Sequence, residues 1–242
     1  MNVLISGAAS GIGWATAEHL MAAGHQVILV DRDEKLLLSK TEQLPDRQYR
    51  ILISDISDHL KLFQGVNTFA QELGGIDGIV ASAGIVTSDK LSDLSPETWG
   101  KTININLTGV FYTIKSALPW LLQSDKASVV TISSAAALTG GGFVGTAAYA
   151  ASKGGVISLT KAVAREWAPR VRANVICPGP VTTPLISNQL SDQATLDRLV
   201  RRTLLDRLGT PEDIVNVIDF LLSVKSSYIT GQQFVIDGGI TL

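Results

Sequence analysis

Seven short apolar runs, continuous rather than alternating, are separated by helix-like segments along this 242-residue chain. They fall at residues 3–6, 26–30, 50–54, 76–81, 129–132, 173–176 and 233–236. A strand with one face in solvent alternates apolar and polar residues, whereas a strand covered on both faces reads as an unbroken apolar run. Seven such runs with helices between them predict an α/β fold, a doubly wound parallel sheet of about seven strands with helices on both faces. The expected helices span about 14–23, 34–44, 57–73, 96–122, 149–167 and 211–222. Gly24 and Pro45 stop the first two, and Gly74-Gly75 break the third. Ser95 is the expected N-cap of the fourth, with Pro96 at its first position and bends at Gly109 and Pro119. With no internal repeat or Pro/Ser-rich linker, residues 1–242 are expected to form a single domain.

Composition narrows the function classes. Hydrophobic residues make up 45% and charged residues 17%, which favours a large buried sheet. The net charge of -2 gives no electrostatic basis for nucleic-acid or anionic-lipid binding. Cys177 is the only cysteine, so no intrachain disulfide forms; this fits a reducing compartment, and the expected location is cytoplasmic. The chain enters its first strand directly, without the pattern of a signal peptide. His19, His25 and His59 lack metal-ligand spacing, so no metal is expected. The longest uncharged run, residues 127–152, is broken by Ser, Thr and three consecutive glycines, and a spanning helix needs about 20 predominantly apolar residues. No membrane role is expected.

The glycine turn Gly7-Ala8-Ala9-Ser10-Gly11-Ile12-Gly13 lies between the first strand and the first helix. It departs from strict G-x-G-x-x-G, with Thr16 at the last glycine position. A glycine-rich turn by itself is a tight connection. Here the position counts, because the following helix N-terminus offers free N–H groups and a positive dipole end to a pyrophosphate. Asp31 closes the second strand, 20 residues after Gly11, where a carboxylate takes the ribose hydroxyls of an adenosine. Such a carboxylate repels a 2′-phosphate, so NAD(H) is expected over NADP(H). Arg32 argues the other way and is given less weight, as a surface arginine near the adenine.

Tyr149 and Lys153 stand four apart on one face of a helix, and Ser134 follows the fifth strand. Tyr-Lys pairs at this spacing are usually surface packing. A phenol beside an ammonium and a hydroxyl is also a proton donor and acceptor for carbonyl/alcohol chemistry, with the ammonium lowering the phenol pKa.

Taken together, these stretches resemble the short-chain dehydrogenase/reductase family over essentially the whole chain. Residues 6–13 match its T-G-x-x-x-G-x-G turn, with Ser6 for Thr. Asp55-Ile56 match the acidic position that contacts adenine, and Asn106 matches the asparagine of the long helix. Ser134, Tyr149 and Lys153 match the active-site serine, tyrosine and lysine. Pro178, Gly179, Val181 and Thr183 lie in the segment matching P-G-x-x-x-T beside the nicotinamide. Gly209-Thr210-Pro211-Glu212-Asp213 and Ile236-Asp237-Gly238-Gly239 match closing segments. The chain departs at Ala81-Ser82-Ala83-Gly84, where the family has N-N-A-G; both amides are lost, with their hydrogen bonds to the sheet, while Ala83 and Gly84 can keep the turn beside the ribose. The Ser134-to-Tyr149 connection is about two residues longer than usual, an excess assigned to the cluster Gly140-Gly141-Gly142; in another register Ala136 would take the serine position.

The resemblance implies a Rossmann-type fold and a reversible NAD(H)-dependent oxidoreductase acting on a small secondary alcohol or its ketone. Tyr149 would move the proton, Ser134 hold the substrate oxygen, Lys153 hold the nicotinamide ribose and lower the Tyr149 pKa, and Asn106 position a water. Residues 182–208 would form a substrate lid, with Leu185, Ile186, Leu190 and Leu196 as its apolar surface and Val86, Thr139 and Phe143 opposite. A homotetramer is expected from the resemblance, from an outer apolar stripe of Phe111, Ile114, Leu118, Val163 and Trp167, and from the chain ending just after the last strand. Two alternatives remain. One is a 3-oxoacyl-(carrier protein) reductase, whose acidic partner calls for a basic patch such as Lys126 and Arg170. The other is a non-catalytic dinucleotide-sensing protein.

Overall fold

The computed structural model describes residues 1–42, 44, 48–142, 145–187 and 193–242. The strands are β1 (Asn2–Ser6), β2 (Gln26–Asp31), β3 (Tyr49–Ile53), β4 (Gly78–Ala81), β5 (Ser128–Ile132), β6 (Arg172–Pro178) and β7 (Gln233–Ile236). They form one parallel seven-stranded sheet in the order β3-β2-β1-β4-β5-β6-β7. The order reverses between β1 and β4, and in such sheets ligand crevices open beyond the carboxyl ends of the strands at that switch point.

The helices are α1 (Gly11–Ala22), α2 (Glu34–Thr41), α3 (His59–Leu73), α4 (Pro96–Ile103), α5 (Gly109–Leu121), α6 (Ala136–Thr139), α7 (Ala147–Trp167), α8 (Pro184–Ser187), α9 (Gln193–Arg202) and α10 (Pro211–Leu222). Successive strand residues feed opposite faces, as a pleat requires. In β1, Val3 and Ile5 pack with Trp14, Leu20 and Met21 of α1 and with Ile214 and Ile218 of α10. Leu4 packs on the other face with Val66 of α3, Ile114 of α5 and Val156 of α7. The single-domain doubly wound sheet is therefore the one the apolar runs predict.

Several expectations change in detail. The expected helix 96–122 is two α-helices joined by a π-helical turn, Asn104–Thr108. The cause is tertiary: the Asn106 amide donates to the Ile85 carbonyl at 2.9 Å and accepts from the Ile85 N–H at 2.8 Å, drawing that turn inward. Single π turns of this kind recur inside helices at functional sites. Ile114 and Val163 are buried in the core, so no outer stripe contains them; Phe111 alone of the five is 43% exposed. Pro45 lies outside the described residues. The expected lid segment, 182–208, carries α8 and α9.

Candidate active site

A cavity of about 820 Å³ follows the carboxyl ends of the strands. Every expected site residue lines it except Gly13 and Asn106. A Cβ on Gly13 would collide with the Gly7 carbonyl, and Gly7 itself has a φ of 72°, so this turn closes only with glycine at both places. Ser10, the N-cap of α1, makes no side-chain cap, and no acidic residue stands in the first turn of that helix. An uncapped helix N-terminus facing a cavity is suited to an anion. The glycine cradle and this helix end fit the pyrophosphate of a dinucleotide.

Asp31 lines the neighbouring wall. Its carboxylate accepts from the Ala9 N–H at 2.9 Å and the Asp33 N–H at 3.0 Å, one bond to each oxygen. A carboxylate oxygen has two lone-pair directions, so each keeps one for a further donor. Arg32 is turned toward Asp55, with 3.5 Å between guanidinium and carboxylate. Burial pushes the Asp55 pKa up, but hydrogen bonds from the Ser57 N–H and hydroxyl, with Arg32, outweigh it and hold the carboxyl below its usual range.

The catalytic candidates meet at the other end. Tyr149 and Lys153, on the first turns of α7, are 8% and 4% exposed, so the pair is not surface packing. Ser134 follows β5 by two residues, with its hydroxyl close enough to the Tyr149 phenol to oppose the rise of its pKa. Ala136 sits on the short helix α6 and donates its N–H to the Ser134 hydroxyl at 3.1 Å; of the two, Ser134 is the one that bears on the Tyr149 pKa. The Lys153 ammonium donates to the Ile132 carbonyl at 2.9 Å and lies 5.9 Å from the Tyr149 ring centre. A Cβ on Gly84 would stand 3.3 Å from that ammonium and 3.2 Å from Asn106 Oδ1, so any larger residue in the β4 turn would press on both.

The electrostatics correct one expectation. Burial raises the Tyr149 pKa, opposed by the Ser134 hydrogen bond, and the expected lowering by Lys153 is not seen. The lysine is itself depressed by burial, from 10.5 to about 8. Desolvation dominates both groups because each sits in a nearly dry wall. Asn106, fully buried, spends its amide on Ile85 and on the Ser152 hydroxyl at 3.1 Å; Ser152 in turn donates to the Tyr149 carbonyl at 2.7 Å.

Of the expected pocket wall, Leu185, Ile186, Val86 and Thr139 line the cavity and Leu196 does not; Leu190 and Phe143 lie outside the described residues. Leu199, Arg202, Ile240 and Thr241 also line it and were not expected. Leu199 was legible as an apolar position on the lid, but nothing in the sequence brings the last residues back to the cavity. Lys126 and Arg170 precede β5 and β6, at the opposite end of the sheet from the cavity, and Lys126 pairs with Asp77 at 3.6 Å. Among the described residues no helix is long and apolar enough to cross a membrane, and no cluster of His, Cys, Asp and Glu could hold a metal.

Comparison with known proteins places this geometry. A family model described as enoyl-(acyl carrier protein) reductase matches residues 7–241. A 3-oxoacyl-[acyl-carrier-protein] reductase of Thermotoga maritima is 37% identical over 99% of this chain and 97% of its own. A meso-2,3-butanediol dehydrogenase of Serratia marcescens is 33% identical over 99% of this chain and 94% of its own. The crystal structure of a Brucella melitensis short-chain dehydrogenase/reductase, titled a glucose/ribitol dehydrogenase, superposes with a TM-score of 0.94 at 37% identity, covering 100% of this chain and 96% of that one. The chain belongs to the short-chain dehydrogenase/reductase family. It is an oxidoreductase of the kind that acts on CH–OH groups and their carbonyl counterparts.

Proposed function

We propose that this oxidoreductase interconverts a secondary alcohol and its ketone, using NAD(H) in preference to NADP(H). The observation that carries the reading is that Ser134, Tyr149 and Lys153 share one cavity with the glycine cradle and the open α1 N-terminus. The nicotinamide cofactor, when bound, supplies or accepts the hydride. Gly7, Ser10, Gly11, Ile12 and Gly13 would hold its pyrophosphate, Asp31 its adenosine ribose, and Asp55 and Ile56 its adenine. Ala83, Gly84, Pro178, Gly179, Val181 and Thr183 would border the rest. Tyr149 gives or takes the proton at the substrate oxygen, and Ser134 donates a hydrogen bond to that oxygen as its charge changes. A phenol raised by burial remains protonated, which suits the donor in ketone reduction. Lys153 supplies a buried positive charge beside it, and Asn106 fixes the turn at Ile85 and the first turns of α7. The segment 182–208 serves as the lid.

NAD(H) is favoured by Asp31, whose oxygens keep acceptor capacity, and by Arg32, whose charge is turned toward Asp55. The test is Tyr149→Phe, assayed on secondary alcohols and ketones with a parallel NADH titration. Turnover should fall by about 10²–10⁴ with NADH binding retained. Activity above about a tenth of wild type would sink the mechanism.

A second reading, reduction of 3-oxoacyl groups on a carrier protein, is favoured by the Thermotoga relative. Lys126 and Arg170 give it no support, since they lie away from the cavity. A dinucleotide-sensing protein has no use for the buried Ser134, Tyr149 and Lys153 group; saturable NADH binding without turnover on any ketone would favour it. Assembly as a homotetramer rests on relatedness and on exposed Phe111. A monomer in light scattering at micromolar concentration would refute it.

A further inference from the structure

We infer that the substrate carries an unbranched apolar chain beside its carbonyl carbon, and that Ile240 sets the length of chain the site accepts. The inference rests on the alcohol/ketone reading and names the substrate class for that site. In the sheet, β5, β6 and β7 are successive neighbours. Ser134 follows β5, Gly179 follows β6 and Asp237 follows β7, so the three stand in a row at the carboxyl ends. Neighbouring strands lie about 4.8 Å apart, which puts the turn after β7 roughly 10 Å from Ser134. That row leads away from β1 and β4, where the cofactor crevice opens. Ile240, on this turn, lines the cavity, as do Leu185 and Ile186 of α8 and Leu199 of α9. Arg202 and Thr241 line it as well. A ketone held by its oxygen at Ser134 and Tyr149, with its chain along this row, gains by burying methylenes until the chain meets Ile240.

Asp237 is the positioning residue for that stop. Its carboxylate accepts from the Gly239 N–H at 2.8 Å, the Thr241 N–H at 3.1 Å and the Thr241 hydroxyl at 2.6 Å. These bonds to a charged acceptor close the chain around Ile240. Gly238 and Gly239, at φ of 62° and 83°, let the chain double back, but two glycines cost conformational entropy to hold in place. The turn is also seated on its neighbours. A Cβ on Gly179 would stand 2.7 Å from Asp237 Cα, and one on Gly239 would stand 2.7 Å from the Leu204 side chain. The Gly238 carbonyl accepts from the Leu205 N–H at 3.3 Å. Ile240 is thus fixed against both the segment after β6 and the residues that follow α9.

The test is kcat/KM with NADH along the straight-chain series from 2-butanone to 2-decanone, in wild type, Ile240→Ala, Ile240→Trp and Asp237→Asn. In wild type the value should rise roughly fourfold per methylene, the effect of burying one CH₂, and then break at one chain length. Ile240→Ala should move the break to longer ketones and Ile240→Trp to shorter ones. Asp237→Asn sets an NH₂ group against donors and loosens the turn, so it should move the break as Ile240→Ala does, through KM rather than kcat. A merely structural aspartate would lower all the ketones alike and leave the break in place, which overturns the positioning role. A flat wild-type series, or a break that neither Ile240 variant moves, overturns the inference. If no ketone of the series is turned over, the alcohol/ketone reading fails on these ketones instead. Chain length is then read from dissociation constants of the same series on the NADH-bound protein, by quenching of NADH fluorescence, where a profile that Ile240→Ala leaves unchanged overturns the inference.

Discussion

The Lys153 ammonium donates to the Ile132 carbonyl at 2.9 Å from a side chain that is 4% exposed. Its pKa of about 8, against an ordinary 10.5, means that burial makes the protonated form costly. The unfolded chain holds that proton up to about pH 10.5 and the folded chain only to about 8, so in this window the unfolded state binds more protons. The contribution of Lys153 to stability therefore rises with pH across the window, and its full cost, about 3 kcal/mol, is present below pH 8. Lys153→Met removes that cost but strands the Ile132 carbonyl, worth about 1–3 kcal/mol. The variant should be inactive yet melt about 2–4 °C higher than wild type at pH 7, the size of a net 1 kcal/mol gain. The difference should shrink above pH 8. A lower Tm at pH 7 would show that the buried ammonium is not a net burden.

Ser133 and Ser134 are adjacent but do different things. Ser134 lies close enough to the phenol to bear on its pKa, whereas Ser133, 3% exposed, donates to the Lys153 carbonyl at 2.8 Å and braces α7 against β5. Ser134→Ala should reduce kcat by about 10²–10⁴ with little change in Tm. Ser133→Ala should cost about 1 kcal/mol of stability and much less activity. If the kinetic effects are reversed, the longer connection before Tyr149 has been divided at the wrong place.

Ser6 stands beside Ala81 across the β1–β4 pair, and its hydroxyl is buried with no hydrogen-bond partner among the described residues. Here the departure from N-N-A-G has a visible consequence, since the position that could offer an amide is a methyl. An unsatisfied buried hydroxyl costs about 1–3 kcal/mol. Ser6→Ala should therefore fold as stably as wild type or more so. Denaturant unfolding that shows it more than about 1 kcal/mol less stable would mean that the hydroxyl has a partner in solution.

These cases mark what the chain discloses on its own. The strands and the cradle follow from local pattern, because a doubly covered strand and a glycine turn before a helix look alike wherever they occur; the order of the strands in the sheet does not. Asp31 and the pairing of Tyr149 with Lys153 follow from spacing along single elements. The direction of the Tyr149 pKa does not, because spacing reveals the neighbouring lysine but not the burial that overrides it. The π turn at Asn104–Thr108 is equally hidden, since it depends on Ile85 in a distant loop. The core positions of Ile114 and Val163 depend on which helix face meets the sheet. The remoteness of Lys126 and Arg170 from the cavity is legible in the sequence, since both precede strands and in a parallel sheet that end lies opposite the cavity.

Asp31 governs the last expectation. Wild type should show a higher kcat/KM with NAD than with NADP, because Asp31 offers acceptors to the ribose hydroxyls and repels a 2′-phosphate. Asp31→Ser should weaken NAD, each lost bond to a charged acceptor being worth about 1.5–3 kcal/mol, and should improve NADP. The gain should be limited on two counts. Asp31 also receives the Ala9 and Asp33 N–H groups, so the variant loosens the turn that shapes the cradle. Arg32, the natural phosphate partner, is drawn toward Asp55 at 3.5 Å. Adding Asp55→Asn to Asp31→Ser should free Arg32 for the phosphate and raise kcat/KM for NADP further than Asp31→Ser alone. Both cofactors are measured with one substrate in all three proteins. A wild type that already prefers NADP would mean that Arg32 outweighs Asp31, and a preference unmoved by Asp31→Ser would mean that the carboxylate does not meet the ribose. No extra gain from Asp55→Asn would show that the Arg32–Asp55 pair is too weak and too exposed to hold the guanidinium back.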